Sequence, residues 1–356
     1  MKILHIVSEY GSNGKGVPQK VVKTVETWQR LGMEADFIDF ANASIGKAGI
    51  SQKDFFVPHF RAEWIFEMHR RSKRVREVLH REKPDIIYSR EMVWNPGLIS
   101  ILNEFPVVIE VNSDRGKELR PKSLAASAFW DLTSSYIRRR AAGLVFVTNE
   151  LAMRLGSTKY VKVIGNAVSV PSSPPKRTLS SSRPLVLMLV GSPSPWVGLD
   201  RFASLSHLFP EFDFVICGDI GKYAEDLPES VRVIPPCSGK VLESLLSMTS
   251  VSFSTLALSR KGMTEACPLK SRTSLAAGIP LIYAYEDPAL QGNEPFALRI
   301  KDRQQLSQST LNRVKDFIQK ASEKPEIGIQ AWKFAKMSLD FEVVEKERIN
   351  FFKSII

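Results

Sequence analysis

Cysteine is scarce in this chain. Only three occur in 356 residues, Cys217, Cys237 and Cys267. None forms a CxxC pair and the number is odd, which argues against a disulfide framework and a zinc site and points to a reduced compartment. The five histidines, His5, His59, His69, His80 and His207, show no HxxxH spacing, so no metal is expected. His5 lies inside the first apolar segment and reads as a core residue. Neither a GxSxG nucleophile motif nor a Cys–His arrangement stands out. No apolar run approaches the roughly 18 residues of a membrane span. The opening MKILHIVSEYG turns polar too quickly for a signal peptide. A cytoplasmic protein is expected, with peripheral contact at the inner face of the cytoplasmic membrane as an extension of that expectation. Basic residues interleaved with exposed aromatics are also missing, which argues against nucleic acid as a partner.

What is present is positive charge and a length that suits two domains. Lys+Arg number 49 against Asp+Glu 38, a net charge of +11, and 44% of residues are hydrophobic. The excess suits an anionic partner. Lys2–Val7 reads as a strand, followed by a Gly-rich loop at 11–16, a helical pattern over 17–31 ended by Gly32, and a strand over 35–40. This is a βαβ unit. Further strands are expected at 85–89, 106–111, 143–148 and 161–164, with helices between them. The alternation predicts a parallel, doubly wound sheet. Residues 171–184, rich in Pro and Ser, read as a linker. The pattern then restarts with strands at 185–190, 212–217, 231–234, 251–254 and 281–285 and helices between them. A charged, amphipathic helical pattern covers 332–356. The expected fold class is therefore α/β, two Rossmann-like doubly wound domains facing across a cleft. The domains run over 1–170 and 185–335, joined by the linker 171–184, and a C-terminal helix over 336–356 packs back on the first domain.

The first Gly loop fits neither familiar phosphate motif. Gly11 and Gly16 have the spacing of a P-loop, but Val17 stands where its Lys must be, and the order is GxxGxG rather than GxGxxG. What survives is a loop whose Gly14 and Gly16 let a ligand approach the start of the first helix, or a plain turn. From Arg70 to Lys83 there are seven Lys/Arg and two Glu, with Val75, Val78 and Leu79 at helical spacing. One face would pack, and the basic face would meet solvent or anionic lipid. Arg138, Arg139 and Arg140 form a second cluster.

The segment Glu265-Ala-Cys-Pro-Leu-Lys-Ser-Arg-Thr-Ser-Leu-Ala-Ala-Gly-Ile-Pro280 is the most informative. An acid and a proline precede a helical pattern that stops at Gly278-Ile-Pro280, and a strand follows. A carboxylate at the mouth of a helix, ahead of N–H groups with no helical partner, suits an anionic ligand that also carries hydroxyls. The plain alternative is a helix start with Pro268 near its first turn.

This segment resembles the donor-sugar motif of retaining glycosyltransferases of family 4, which have the GT-B fold. The resemblance covers most of the chain. It includes the opening strand and Gly loop, Ala142–Thr148, Val163–Ser169, Val190–Asp200, Ile216–Asp219 and the final helix. It implies transfer of a sugar from a nucleotide-diphosphate donor with retention of configuration, and neither an essential metal nor a cofactor beyond that donor. By the match, Glu265 holds donor hydroxyls and stabilises the developing oxocarbenium charge. Ala266, Cys267, Pro268, Leu269 and Lys270 supply the loop whose N–H groups meet sugar and phosphate. Gly191, Ser192, Gly218 and Asp219 fall on donor-site loops.

Three positions depart from the family pattern. Its second Glu falls on Thr273, whose hydroxyl would have to serve the ribose. The diphosphate-binding Arg and Lys of the family fall on Ser192 and Val197. Each lost charge-assisted bond costs about 1.5–3 kcal/mol, and Lys270, Arg272, Arg260 and Lys261 are the cations placed to compensate. In the first domain, Glu110, Asn112 and Asp114 end a strand, where they either orient an acceptor hydroxyl or cap the loop. The expectation is a glycosyltransferase acting on a lipid-linked glycan acceptor in lipopolysaccharide, capsule or similar surface polysaccharide synthesis. The alternatives are a degenerate relative serving as a binding or scaffold subunit, and a nucleotide-sugar epimerase.

Overall fold

The computed structural model describes residues 1–7, 17–40, 44–45, 62–158, 160–179, 182–191 and 193–356, with backbone alone at 17–19, 44–45 and 62–65. The chain divides into two compact units, Met1–Ile164 with Val344–Ile356, and Gly165–Val343.

The first unit runs β1 (Lys2–Val7), α1 (Val17–Arg30), β2 (Glu34–Asp39), β3 (Ser44–Ile45), α2 (Ala62–Glu82), β4 (Ile86–Arg90), α3 (Pro96–Glu104), β5 (Val107–Val111), α4 (Arg115–Leu119), α5 (Leu124–Arg140), β6 (Gly143–Phe146), α6 (Asn149–Leu155) and β7 (Val161–Val163). Its sheet has the order β3-β2-β1-β4-β5-β6-β7. Every pairing is parallel except that of the two-residue edge strand β3 with β2. β5 and β6 are buried along their whole length, as befits strands covered on both faces.

The second unit runs β8 (Leu185–Val190), α7 (Leu199–Leu208), β9 (Asp213–Gly218), β10 (Val231–Ile234), α8 (Lys240–Met248), β11 (Thr249–Phe253), α9 (Leu269–Ala276), β12 (Leu281–Tyr283), β13 (Ala297–Arg299), α10 (Gln308–Glu323), α11 (Pro325–Ser338) and the start of α12 (Phe341–Lys353). The sheet order is β10-β9-β8-β11-β12-β13 with every pairing parallel. Counted from β8, this is the doubly wound order 3-2-1-4-5-6, whose direction reverses between β8 and β11. Phe202, Phe214 and Phe253 meet edge to face in its core, at 5.1 and 5.5 Å.

Residues 171–184 belong to the second unit. The N–H of Thr178 donates to Ser247 O, and the buried Arg177 guanidinium donates to the carbonyls of Thr249 and Ser250. The helical pattern of 332–356 is two helices rather than one. The break falls at Leu339 and Asp340, where Val168 N–H donates to Leu339 O and Phe341 N–H to Val168 O. The Asp340 carboxylate then accepts from Glu342 N–H and from Lys336 Nζ. An aspartate that caps the turn after it, between two residues whose backbones pair with Val168, ends a helix more firmly than periodicity reveals.

From Val344 onward α12 completes the first unit. Its Arg348 donates to Tyr88 OH and to Glu345 at 2.8 Å, and Glu345 also accepts from Trp28 Nε1 at 2.7 Å. Tyr88 OH donates to Glu110, which accepts from Lys20 Nζ at 2.8 Å. His5 is buried beside this cluster, 5.0 Å from the Tyr88 ring and 5.7 Å from Trp28. Neither of its ring nitrogens has a hydrogen-bond partner among the described residues.

Burial lowers the His5 pKa to about 3, against the pull of Glu110 and with the repulsion of Lys20, Arg348 and Arg90. The unfolded chain binds a proton at His5 below about pH 6.5 while the folded chain does not, so this residue makes stability fall as pH drops from about 6.5 towards 3. We expect wild type to lose about 1.4 kcal/mol per pH unit more than His5→Leu between pH 6 and 4, measured by urea denaturation. Parallel curves for the two proteins would refute this.

Candidate functional site

In a doubly wound sheet ligands gather outside the carboxyl ends of the strands, where the order reverses. In the second unit that point lies between β8 and β11, and three segments converge near it. Gly191 follows the last residue of β8. Gly218 ends β9 with φ +151°, and a Cβ there would lie 1.8 Å from Val190 O, so only glycine fits. The third segment is the start of α9.

Glu265 is held by a two-residue bridge beside the end of β12. Glu286 N–H donates to Thr264 O at 2.8 Å, and Ala266 N–H to Glu286 O at 3.0 Å. The loop then turns into α9, whose N-cap is Pro268, with no side chain capping it and no acid in its first turn. The Ala266 N–H is thus committed, and Pro268 has none. The amides offered to a ligand are those of the first helical turn, Leu269, Lys270 and Ser271, which have no intrahelical acceptor.

A buried ion pair fixes this loop from behind. Arg272, fully buried, donates two bonds to Asp287 at 2.5 and 2.7 Å and a third to Cys267 Sγ at 3.0 Å. Asn166 adds its N–H to Cys267 Sγ at 3.1 Å and its side-chain amide to Cys267 O at 2.6 Å. Cys267 is therefore a buried anchor for the loop.

Lys270 points the other way. Its Nζ lies 2.2 Å from where a Cβ on Gly191 would be. Among the described residues it meets no carboxylate, and burial lowers its ammonium below the ordinary lysine value. The remaining cations named from the sequence are engaged. Arg260 forms a forked pair with Asp200 at 2.8 and 2.6 Å, and Lys261 sits over the Trp196 ring at 5.1 Å. Val197 packs against the apolar core. Thr273 Oγ1 donates to Leu269 O at 3.0 Å, which leaves its oxygen as an acceptor. Asp219 is exposed and caps Gly221 N–H at 3.0 Å. Gly14, Gly16 and Ser192 lie outside the described residues.

In the first unit, Glu110 and Asn112 both line a polar cavity of about 230 Å³ with Arg90, Glu91, Ser113, Arg115, Glu118 and Trp130. Glu110 is buried. Burial opposes its charge, but Lys20, Arg348 and Arg90 hold the carboxyl well below the usual carboxylate range. The Asn112 side-chain nitrogen has no hydrogen-bond partner among the described residues. Asp114 instead caps α4, accepting from Lys117 N–H at 3.1 Å, and pairs with Arg154 at 2.8 Å. The sequence reading missed Asp287 and Trp130. An acid just past a strand end was the available signal for Asp287, and Trp130 had none, since helical spacing places it among ordinary core residues.

No protein-family model matches the sequence, and no curated protein matches it. Solved structures do. Sucrose-phosphate synthase from Thermosynechococcus elongatus aligns with TM-score 0.74 at 12% identity, over 99% of this chain and 98% of that one. HepE of Anabaena in complex with UDP-glucose aligns with TM-score 0.67 at 14% identity, over 99% and 100%. The lipopolysaccharide outer core galactosyltransferase WaaB, in its apo form, aligns with TM-score 0.65 at 14% identity over the full length of both chains.

The site generates one prediction. Asp287→Asn leaves the Arg272 charge buried without its counter-ion, which should cost about 3–5 kcal/mol, whereas the double variant Arg272→Met, Asp287→Leu should recover most of that loss. Urea denaturation of the three proteins measures both quantities, and a neutral Asp287→Asn would show that the pair does not hold the loop. These structural likenesses, at 12–14% identity, show a fold, and that fold is the GT-B fold of glycosyltransferases.

Proposed function

We propose that this protein is a retaining glycosyltransferase that moves a sugar from a nucleotide-diphosphate donor to a glycan acceptor. The observation that carries the reading is the placement of Glu265 beside the uncapped start of α9, at the reversal point of a doubly wound sheet. The donor needs two things at once, neutralisation of a departing diphosphate and stabilisation of positive charge on the sugar. The first-turn amides of α9 and its dipole suit the first requirement. The Glu265 carboxylate suits the second, accepting donor hydroxyls and facing the oxocarbenium charge as it develops. A helix end and basic side chains can supply the neutralisation that a metal supplies elsewhere, and the transfer is proposed to need no metal. HepE was crystallised with UDP and with UDP-glucose, so UDP-sugars are the first donors to try.

The acceptor proposed is a lipid-linked glycan at the inner membrane face, in surface polysaccharide assembly. One structural neighbour, WaaB, is a lipopolysaccharide outer core galactosyltransferase. No described helix is long and apolar enough to cross a membrane. The basic face of α2 supports peripheral contact only in part. Arg70, Arg71 and, at 4.0 Å, Arg74 pair with Glu67, and Arg76 pairs with Glu104, which leaves Lys73 as the more available charge. Sedimentation with anionic vesicles at low salt tests this: binding that disappears at high salt is expected, and no binding at either ends the membrane proposal.

The central test is Glu265→Gln assayed with UDP-, GDP- and ADP-sugars. We expect turnover to fall about 10²-fold or more while nucleotide binding persists. Unchanged turnover removes Glu265 from the chemistry. Donor turnover without any acceptor would point instead to an epimerase. A wild-type chain that binds no donor, with biological function intact in Glu265→Gln, would point to a scaffold subunit.

A further inference from the structure

A lysine in the first turn of a helix is poorly placed. The helix dipole repels it there, and burial without an acid adds a desolvation cost. Lys270 carries both penalties. It is the second residue of α9, it is half-buried, and no carboxylate among the described residues approaches it. The neighbouring buried cation, Arg272, shows the ordinary solution at the same helix, a forked pair with Asp287.

Position gives the Lys270 head a direction. Its Nζ occupies the space that a side chain at Gly191 would take, so it lies over the carboxyl end of β8, beside the reversal point of the sheet. Gly191 is outside the left-handed backbone region, and its lack of a side chain is what leaves room for the ammonium. The loop from Pro193 to Leu199 carries no cation, and the nearby Arg260 and Lys261 are engaged with Asp200 and Trp196. Positive charge therefore reaches the end of β8 from α9.

We propose that Lys270 is the positioning residue for the donor's diphosphate in this chain, its ammonium lying over Gly191 and meeting phosphate charge that the β8–α7 loop leaves unneutralised. The inference rests on the donor reading above and goes beyond it, because it moves the compensating cation to a side chain on the opposite segment of the site. Unbound, the ammonium is a local cost; with a diphosphate it becomes one half of a charge-assisted contact. The group recognised is the second phosphate as it becomes the leaving group's charge.

The test uses Lys270→Met and Gly191→Ala. Affinities are measured calorimetrically for UDP, GDP and ADP and for the corresponding monophosphates. In wild type at least one diphosphate should bind more tightly than its monophosphate. In Lys270→Met that diphosphate should bind about 10- to 100-fold more weakly, and the ratio of diphosphate to monophosphate affinity should collapse towards one. The ligand-free Lys270→Met protein should be at least as thermally stable as wild type, since it loses a half-buried charge that meets no acid among the described residues, and a purely structural lysine would give the opposite. Gly191→Ala keeps the lysine but fills the place of its head, so it should also lower the ratio while remaining folded. If wild type binds diphosphates and both variants keep its ratio, the role of Lys270 falls and the donor reading stands. If wild type binds none of the three diphosphates, the donor reading falls and this inference with it.

Discussion

The first unit depends on a buried cluster of charges contributed by the two ends of the chain. Arg348 and Glu345 come from the last helix, Trp28 and Lys20 from the first, and Tyr88 and Glu110 from neighbouring central strands. Arg348, Glu345 and Glu110 are almost wholly inaccessible to water, so each charge is tolerated only because the others satisfy it. Removal of one member of such a group typically costs about 3–5 kcal/mol. Apolar contact alone, such as Phe352 against Trp28 and Tyr88, would hold α12 without fixing its rotation. The forked donors of Arg348 add direction. The same cluster decides what Glu110 can do. Its carboxylate walls the cavity of the first unit, but two donors already occupy it.

The second unit treats two cations of one helix in opposite ways. Arg272 is neutralised by Asp287 and thereby orders the loop that carries Glu265. Lys270, two residues earlier on α9 and half-buried, meets no acid among the described residues and is turned over Gly191. The first arrangement contributes stability and the second costs it, and proteins keep such costs mainly at places where a ligand removes them. The geometry follows from the sheet order. Because the direction of the strand order reverses between β8 and β11, their carboxyl ends mark the place where a doubly wound sheet opens a crevice, and the start of α9 lies beside it.

Much of the fold was legible in the residues because its signals are local. The strands at Lys2–Val7 and Leu185–Val190, and the end of α1 at Gly32, follow from apolar runs and a glycine at φ +81°. Two short edge strands were not legible. β3 has two residues and β13 three, too few for a period to appear, whereas the equally short edge strand β7 was marked by its Val-Lys-Val-Ile run. The break between α11 and α12 was hidden because both halves are amphipathic, and it is made by Val168, distant in sequence. The basic run of α2 looked like a charged face. Part of its charge is taken up by Glu104 on α3, a partner that only packing supplies.

By itself the sequence determined the alternation of strands and helices, the restart of that pattern near residue 185, and the acid–proline–helix segment that begins at Glu265. These are properties of neighbours in the chain, written in spacing and backbone preference. Tertiary structure alone decided which of four candidate cations meets no acid or ring among the described residues. Lys270, Arg272, Arg260 and Lys261 are equivalent as letters, and they differ because Asp287, Asp200 and Trp196 reach three of them while the space above Gly191 receives the fourth. Charge compensation depends on distance in space, and a chain of letters records distance only along itself.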